Sequence, residues 1–319
     1  MEINTVAVLG GSGFVGRHLC QALAAAGYRV RVPTRDRERA KKQLILLPTA
    51  DVAVVDVHDP RALAEFLRGT EAVINLIGVL HGGRGTGSFQ AAHVELARGV
   101  VEACRKAGVR RLLHMSALRA AENAPSAYLR SKAEAEAVVR GSGLDWTIFR
   151  PSVIFGHDDS FLNLFAGILR LFPVVLLGSP HARFQPVFVD DVAAAFEKAL
   201  PDLGSHGKSY ELCGTRVYTL RQLVEFTAAT TGHRRPIIGL SDSLSWLQAL
   251  VMEYLPVKLL TRDNMLSMKV DSVCDAPLPF GIEAGALEAL APAWLARQTP
   301  RGHYQRFRAQ RGSAAMSDE

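Results

Sequence analysis

The sequence predicts an α/β protein, a doubly wound parallel sheet with a smaller C-terminal α/β lobe. Three features carry this expectation. Short β-branched runs alternate with helical stretches through the first half, a glycine-rich turn joins the first run to the first helix, and the alternation loosens after Arg150-Pro151.

Strands are expected at residues 6–9, 30–32, 52–55, 72–76, 111–114 and 146–149, each a short apolar run bounded by polar residues or turn formers. Between them, residues 14–26, 37–46, 60–67, 89–106 and 128–140 repeat apolar side chains at three- and four-residue spacing, as amphipathic crossover helices do. Such crossovers are right-handed. Past residue 151, helices are expected at 161–172, 220–231 and 244–255, separated by short strands such as 209–213. A strand-helix unit at 186–200 is expected to return to the main sheet. The division is then a main domain over 1–155, a smaller lobe over 156–300 and a basic, frayed tail over 301–319.

Composition narrows the function classes. Hydrophobic residues make up 48% of the chain and charged residues 21%, as in folded globular proteins. The 37 Lys and Arg against 31 Asp and Glu give a net charge of +6, which favours acidic partners. No nucleic-acid-binding motif accompanies that charge, so no nucleic-acid partner is expected. Cys20, Cys104, Cys213 and Cys274 lie far apart with no Cys-x-x-Cys pair, so neither a disulfide framework nor a zinc site is expected. A strand at the very start leaves no room for a secretory leader, and no apolar run reaches the roughly 20 residues that span a bilayer. The expected location is cytoplasmic.

Gly10-Gly11-Ser12-Gly13-Phe14-Val15-Gly16 stands between the first strand and the first helix. A tight turn, close backbone approach to a pyrophosphate and helix–strand packing each exclude a side chain here, and the open N–H groups of the helix start bind phosphate. Gly10, Ser12, Gly13, Phe14, Val15 and Gly16 are therefore candidate contacts to a dinucleotide, and residues 1–155 read as an NAD(P)-binding Rossmann domain. The second strand ends Val32-Pro33-Thr34-Arg35-Asp36. An acidic residue at this point would hold the ribose hydroxyls of NAD(H). Arg35, with Arg37, Arg39 and Lys41 behind it, suits a 2′-phosphate, so NADP(H) is favoured over NAD(H). The alternative is a solvated basic helix end with Asp36 as its N-cap. Asp56 and Val57, after the third strand, are candidate neighbours of the adenine.

Tyr128-Leu-Arg-Ser-Lys132 sets a phenol and an ammonium four residues apart on one helix face. A neighbouring ammonium favours phenolate and lowers the phenol pKa toward the working range. Ser116, at the end of the fifth strand, is placed to orient a substrate oxygen, so Ser116, Tyr128 and Lys132 form the candidate catalytic set. In the alternative, Lys132 holds the ribose and Tyr128 packs, with no turnover. Asn75 and Gly78 at the end of the fourth strand, and Pro151 and Val153 after the sixth, are candidate nicotinamide neighbours. A core strand end explains these equally well. His81 and His93 bracket a Gly-rich loop that reads as a lid or as a plain flexible segment. No His and carboxylate spacing suits a metal, and none is expected.

Together these residues resemble the extended and atypical short-chain dehydrogenase/reductase superfamily. Tyr128-Leu-Arg-Ser-Lys132, Arg150-Pro-Ser-Val-Ile-Phe-Gly156 with Asp159-Ser-Phe-Leu-Asn163, Gln185-Pro-Val-Phe-Val-Asp-Asp-Val192 and Thr261-Arg262-Asp263 are similar to the nucleotide-binding accessory-subunit family of respiratory complex I. The resemblance implies a tightly held NADP(H), a protein partner in a membrane respiratory complex near ubiquinone chemistry, and a place at the inner face of the cell membrane. It also implies no established turnover in the mitochondrial member. Two departures from the extended dehydratases and epimerases bear on catalysis: His93 lies where their fourth helix begins with Asn, and Ser116-Ala117 replaces a Ser-Ser pair.

In the second half, Leu244, Leu247, Val251, Tyr254 and Leu255 form an apolar stripe that Trp246 and Leu250 widen. Core packing is its first explanation. With Lys258, Arg262, Arg301, His303, Arg306, Arg308 and Arg311 following, contact with anionic lipid is the second. Three functions follow in order: an accessory protein in which NADP(H) is structural or regulatory, an NADPH-dependent reductase or dehydratase/epimerase-type enzyme using Tyr128 and Lys132, and a redox-sensing binding protein.

Overall fold

The central strands of a parallel sheet, apolar on both faces, can be buried only between two layers of helices, and the chain folds that way. The computed structural model describes residues 3–38, 40, 50–83, 85–253 and 260–296. Strands β1 (Thr5–Leu9), β2 (Arg29–Thr34), β3 (Ala50–Val54), β4 (Ala72–Asn75), β5 (Arg111–Met115), β6 (Asp145–Pro151) and β11 (Lys208–Leu212) form one parallel sheet in the order β11-β6-β5-β4-β1-β2-β3. The chain starts at the centre, builds outward to β3, then crosses back to β4. A crevice therefore opens between β1 and β4 at their carboxyl ends, where Leu9 stands opposite Asn75.

The period-2 alternation of β1 divides the core. Val6 and Val8 pack with Leu19 and Leu23 of α1 (Phe14–Ala25) and with Val192 and Phe196 of the helix at Val189–Ala199. Ala7 and Leu9 face Leu63 and Leu67 of α2 (Pro60–Leu67) and Leu96 and Val100 of α3 (Leu96–Ala107). The helix expected over 89–106 opens with a π-helical segment, Gln90–Glu95, before α3. It is followed by α4 (Ala127–Arg140).

The smaller lobe has its own core around α5 (Leu162–Leu171) and the helix Leu220–Thr231. Its strands pair in twos: β7 (Ile154–Phe155) with β10 (Val187–Phe188), β8 (Val175–Leu177) with β13 (Ile237–Gly239), and β9 (Arg183–Phe184) with β12 (Tyr218–Thr219). With the remaining helices numbered in chain order, Val189–Ala199 is α6, Leu220–Thr231 is α7, Asp242–Glu253 is α8 and Arg262–Ser267 is α9.

Two readings of the sequence are corrected. The strand expected at 209–213 in the smaller lobe is β11, the edge of the main sheet, parallel to β6 with Tyr210 opposite Phe149. The buried Arg111 guanidinium fixes that return by donating to the carbonyls of Ala199 (2.6 Å) and Leu200 (3.3 Å) and to Ser205 Oγ (2.8 Å). Residues 186–200 add no strand to that sheet; β10 pairs with β7, and α6 packs against α1. The expectation of unbonded cysteines also fails, because Cys213 and Cys274 form a disulfide. They lie 61 residues apart, and only the fold brings them together: Arg119 holds the carbonyls of Asp271 and Val273, and Gln185 accepts from the Cys274 N–H (3.0 Å). Cys20 and Cys104 are free and buried, with thiol pKa values pushed up to about 12.

The expected helix at 37–46 falls largely outside the described residues, as do Arg39, Lys41, Arg84, Tyr254, Leu255, Lys258 and the 301–319 tail. No helix among the described residues is long and apolar enough to cross a membrane.

Candidate functional site: a dinucleotide cradle with a buried polar floor

The turn from β1 into α1 has room for backbone only. Gly10 adopts φ +84°, and its carbonyl accepts the Gly13 N–H at 2.9 Å. A Cβ on Gly16 would lie 2.2 Å from the Gly10 oxygen and 2.6 Å from the Gly11 Cα; one on Gly11 would lie 2.9 Å from Val32. Helix α1 begins at Gly13 with no side-chain cap, so the first-turn N–H groups of Phe14, Val15 and Gly16 have no acceptor within the helix. Ser12 is half-buried beside them. This cradle fits a pyrophosphate.

Arg35 follows β2 and is exposed, while the Thr34 hydroxyl accepts the Asp36 N–H at 3.2 Å. Asp56 Oδ1 accepts the His58 N–H at 3.0 Å, and Val57 is half-buried against the core. These residues lie at the outer end of the crevice, where an adenosine would reach.

At the other end, β5 delivers Ser116. Its N–H donates to the Phe149 carbonyl at 2.7 Å, whereas its hydroxyl is buried with no hydrogen-bond partner among the described residues. Lys132 extends from α4 beneath Gly78 and donates to the Met115 carbonyl at 3.2 Å. A Cβ on Gly78 would lie 2.9 Å from the Lys132 Nζ, so glycine leaves the ammonium its present position. One turn earlier, the Tyr128 ring meets Phe89 (5.9 Å) and His93 (5.7 Å) edge-on. Burial pushes the Tyr128 phenol up to about 12 and the Lys132 ammonium down to about 8. In place of the anticipated lowering of the phenol by its ammonium, desolvation raises it.

A floor of neutral imidazoles lies below. His93 Nε2 accepts the Val79 N–H (3.1 Å), so its proton sits on Nδ1 and is donated to Ser131 Oγ (2.8 Å). Ser131 donates in turn to the Tyr128 carbonyl (2.8 Å). Asn75 Oδ1 accepts the Ile77 N–H (3.1 Å), and its amide faces His114 Nδ1 at 3.3 Å, leaving the His114 proton on Nε2, buried and without a protein acceptor. Burial, followed by the Lys132 cation, pushes both imidazoles down to about 3. Asn75 thus has both polar ends engaged in shaping the turn that carries Gly78.

Pro151 is buried and accepts the Leu118 N–H (3.0 Å), and Val153 accepts the Val187 N–H (3.0 Å), so both brace the far wall. The smaller lobe reaches this wall through α9. The Asp263 carboxylate accepts the N–H groups of Ala127 (2.7 Å) and Tyr128 (3.1 Å), Ser126 caps Leu129, and Asn264 donates to the Leu80 carbonyl (3.3 Å). The roles of Ser131, His114 and Asp263 were missed in the sequence. His114 and Ser116 share a strand face by the period of two, and Thr261 to Asn264 is a capping box, so signals for two of them were present. Asp159, by contrast, holds its own loop by accepting the Gly156, Phe161 and Leu162 N–H groups. Among the described residues no cluster of three His, Cys, Asp or Glu suits a metal.

Fold and cradle together define a Rossmann-type protein that binds a nicotinamide dinucleotide. Residues 10–160 match the NAD(P)H-binding domain family. The chain is 37% identical over 224 residues to NADH dehydrogenase [ubiquinone] 1 alpha subcomplex subunit 9 of Arabidopsis thaliana, covering 68% of this chain and 56% of the relative. It is 35% identical to ceramide reductase of Caulobacter vibrioides, covering 75% and 74% respectively. The structure of an NADPH-dependent quinone oxidoreductase from Escherichia coli, complexed with NADPH, superposes with a TM-score of 0.73 at 21% identity, covering 91% of this chain and 99% of that one, and shows the shared fold. The protein belongs to the atypical short-chain dehydrogenase/reductase family that includes the complex I alpha subcomplex subunit 9. It spans between 56% and 61% of the subunit 9 relatives' own length.

Proposed function

We propose that the protein is a cytoplasmic NADP(H)-dependent reductase acting on a carbonyl or quinone-like group, held peripherally at the inner face of the cell membrane beside a respiratory complex. One observation carries the enzymatic part: the buried Ser116 hydroxyl has no hydrogen-bond partner among the described residues, although it lies at the strand ends where the Tyr128 and Lys132 helix begins. Leaving such a group unpaired costs about 1–3 kcal/mol, a cost that a site built only for packing would avoid. The ceramide reductase and quinone oxidoreductase relatives support a reductive role.

A bound reduced nicotinamide supplies the hydride. Ser116 orients the acceptor oxygen by hydrogen bonding, the Tyr128 hydroxyl gives its proton to that oxygen, and the Lys132 ammonium holds ribose hydroxyls and stabilises the phenolate left behind. Arg35 supports NADP(H) over NAD(H), since an exposed guanidinium rather than a carboxylate follows β2.

The test is NADPH consumption with long-chain ketones and quinones. Tyr128→Phe is expected to lower kcat by about 100-fold or more while NADPH affinity holds. Arg35→Ala is expected to weaken NADP(H) about tenfold and leave NAD(H) unchanged. Equal turnover by the Phe variant overturns the assignment. The raised Tyr128 pKa favours a second reading, in which the dinucleotide is held as a structural or regulatory group of a respiratory complex. Under that reading bound NADPH is never consumed, and a strain carrying Tyr128→Phe respires normally.

A further inference from the structure

We propose that the outer face of the smaller lobe, built from the end of α5, from β8 and β13, and from α8, docks on an anionic phospholipid surface. This deepens the peripheral-membrane part of the reading above and rests on it.

Helix α8 buries only Ser245 and Ala249. Leu244, Leu247 and Val251 recur at three- and four-residue spacing on the opposite side, roughly 140° round the helix, and each is more than half exposed. Core packing, the first explanation of this stripe, therefore does not hold for these three residues. The helix lies on β8, where Gln248 Nε2 donates to the Leu176 carbonyl at 2.9 Å and Ser245 Oγ accepts the Ser179 N–H at 3.4 Å. In the β8–β13 pair, Val175 and Leu177 point into the core, whereas Leu176 and its register partner Ile238 are exposed. Parallel strands are ordinarily covered on both faces, and this parallel pair leaves two large aliphatics on its outer face exposed. Leu171, Phe172 and Val174 lead into β8 and are exposed as well. Nine of the twelve large exposed hydrophobics among the described residues lie on or next to these segments, the end of α5, β8, β13 and α8.

Its rim is basic. Arg170 ends α5 beside Leu171, and His233-Arg234-Arg235 leads into β13, with Arg235 Nε anchored on the Leu169 carbonyl at 3.3 Å. Of the two acids on α8, Glu253 is bound to Arg262 at 3.0 Å, and the Arg262 guanidinium stands over the Trp246 ring at 5.8 Å. Exposed aliphatics, a half-exposed indole and a rim of guanidinium groups match acyl chains, the interfacial zone and lipid phosphates in turn. An apolar protein partner would not require the arginines. The face is also joined to the site: α9, directly after α8 in the helix order, holds the start of the Tyr128 helix through Asp263.

The experiment is co-sedimentation of the full chain with vesicles of phosphatidylcholine alone or mixed equally with phosphatidylglycerol. Binding to the mixed vesicles is expected to be at least about tenfold tighter and to fall with added salt. Trp246 emission should shift to the blue and be quenched by brominated lipid. Leu247→Glu with Val251→Glu, both at exposed positions, should abolish binding while NADPH affinity stays unchanged. Arg170→Glu with Arg234→Glu should erase the preference for phosphatidylglycerol. If the wild type binds and the Leu247/Val251 variant binds equally, another face does the docking, and this inference falls while the peripheral reading stands. If the wild type binds neither vesicle, both fall. If the same variant instead dissolves a dimer seen by size-exclusion chromatography, without any lipid binding, a second copy covers the face and the lipid proposal is overturned.

Discussion

Acid should destabilise the cofactor-free protein well before its carboxylates titrate, because two imidazoles are buried neutral beneath Lys132. His93 and His114 both have folded pKa values near 3 against an ordinary 6.5, so the unfolded chain binds more protons than the folded one. Stability is full above about pH 6.5 and falls as the pH drops toward 3. At pH 5 the unfolded imidazoles are protonated and the folded ones are not, which costs about 2 kcal/mol for each and about 4 kcal/mol for the pair. The carboxylates held below their ordinary range, Glu102, Asp158 and Glu288, act only at lower pH, while Asp159 and Asp191, raised by burial, oppose the loss as the pH falls, so the two imidazoles dominate the fall from pH 7 to 5. His206, nearer the surface, adds a smaller change of the same sign. Urea unfolding at pH 7 and pH 5 measures the loss. His114→Gln should lower stability at pH 7 and reduce the acid-induced loss by about half. A wild-type loss under about 1 kcal/mol, or an unchanged loss in the variant, refutes the argument.

Gly16→Ala should abolish dinucleotide binding and cost about 3 kcal/mol, since the new methyl would overlap backbone that cannot move aside; thermal melts with and without NADPH check both effects. Asp263→Asn removes the charge that two α4 amides share and should cost about 1–2 kcal/mol, with faster hydrogen exchange at the amides of Ala127 and Tyr128 as its signature.

The centre of the sheet was legible because its strands are short apolar runs buried on both faces, and the cradle because Gly10 and Gly16 leave so little alternative for the backbone. Tyr128, Lys132 and Ser116 could be placed from helical spacing and a strand end. What the sequence could not disclose depends on distance along the chain. The bond between Cys213 and Cys274, the return of β11 to the sheet and the reach of Asp263 to α4 each join segments with no shared local pattern. The direction of the Tyr128 shift was equally hidden, because spacing reports which charge is near and not how much water has been excluded.

The relatives include proteins named for reduction and proteins named for a respiratory complex, and the Tyr128 shift bears on which role the proposed site would serve. Under the proposed function, the cradle and Arg35 would act on the phosphates whether or not Tyr128 gives up a proton. Turnover, if the proposed function holds, would depend on a narrower condition, the charge of Lys132, whose pKa burial holds down to about 8 and whose hydrogen-bond partner among the described residues is the Met115 carbonyl. Glu136, one turn further along α4, is the one group that raises it, and its carboxylate is bound to Arg150 and Arg140. New hydrogen-bond partners for the Lys132 ammonium would favour its cation and, through it, the Tyr128 phenolate. The floor of His93 and His114 opposes this by holding neutral rings where a carboxylate would have favoured the cation. Under the proposed function, substitutions in this floor should therefore change turnover while the sheet, the cradle and dinucleotide binding stay as they are.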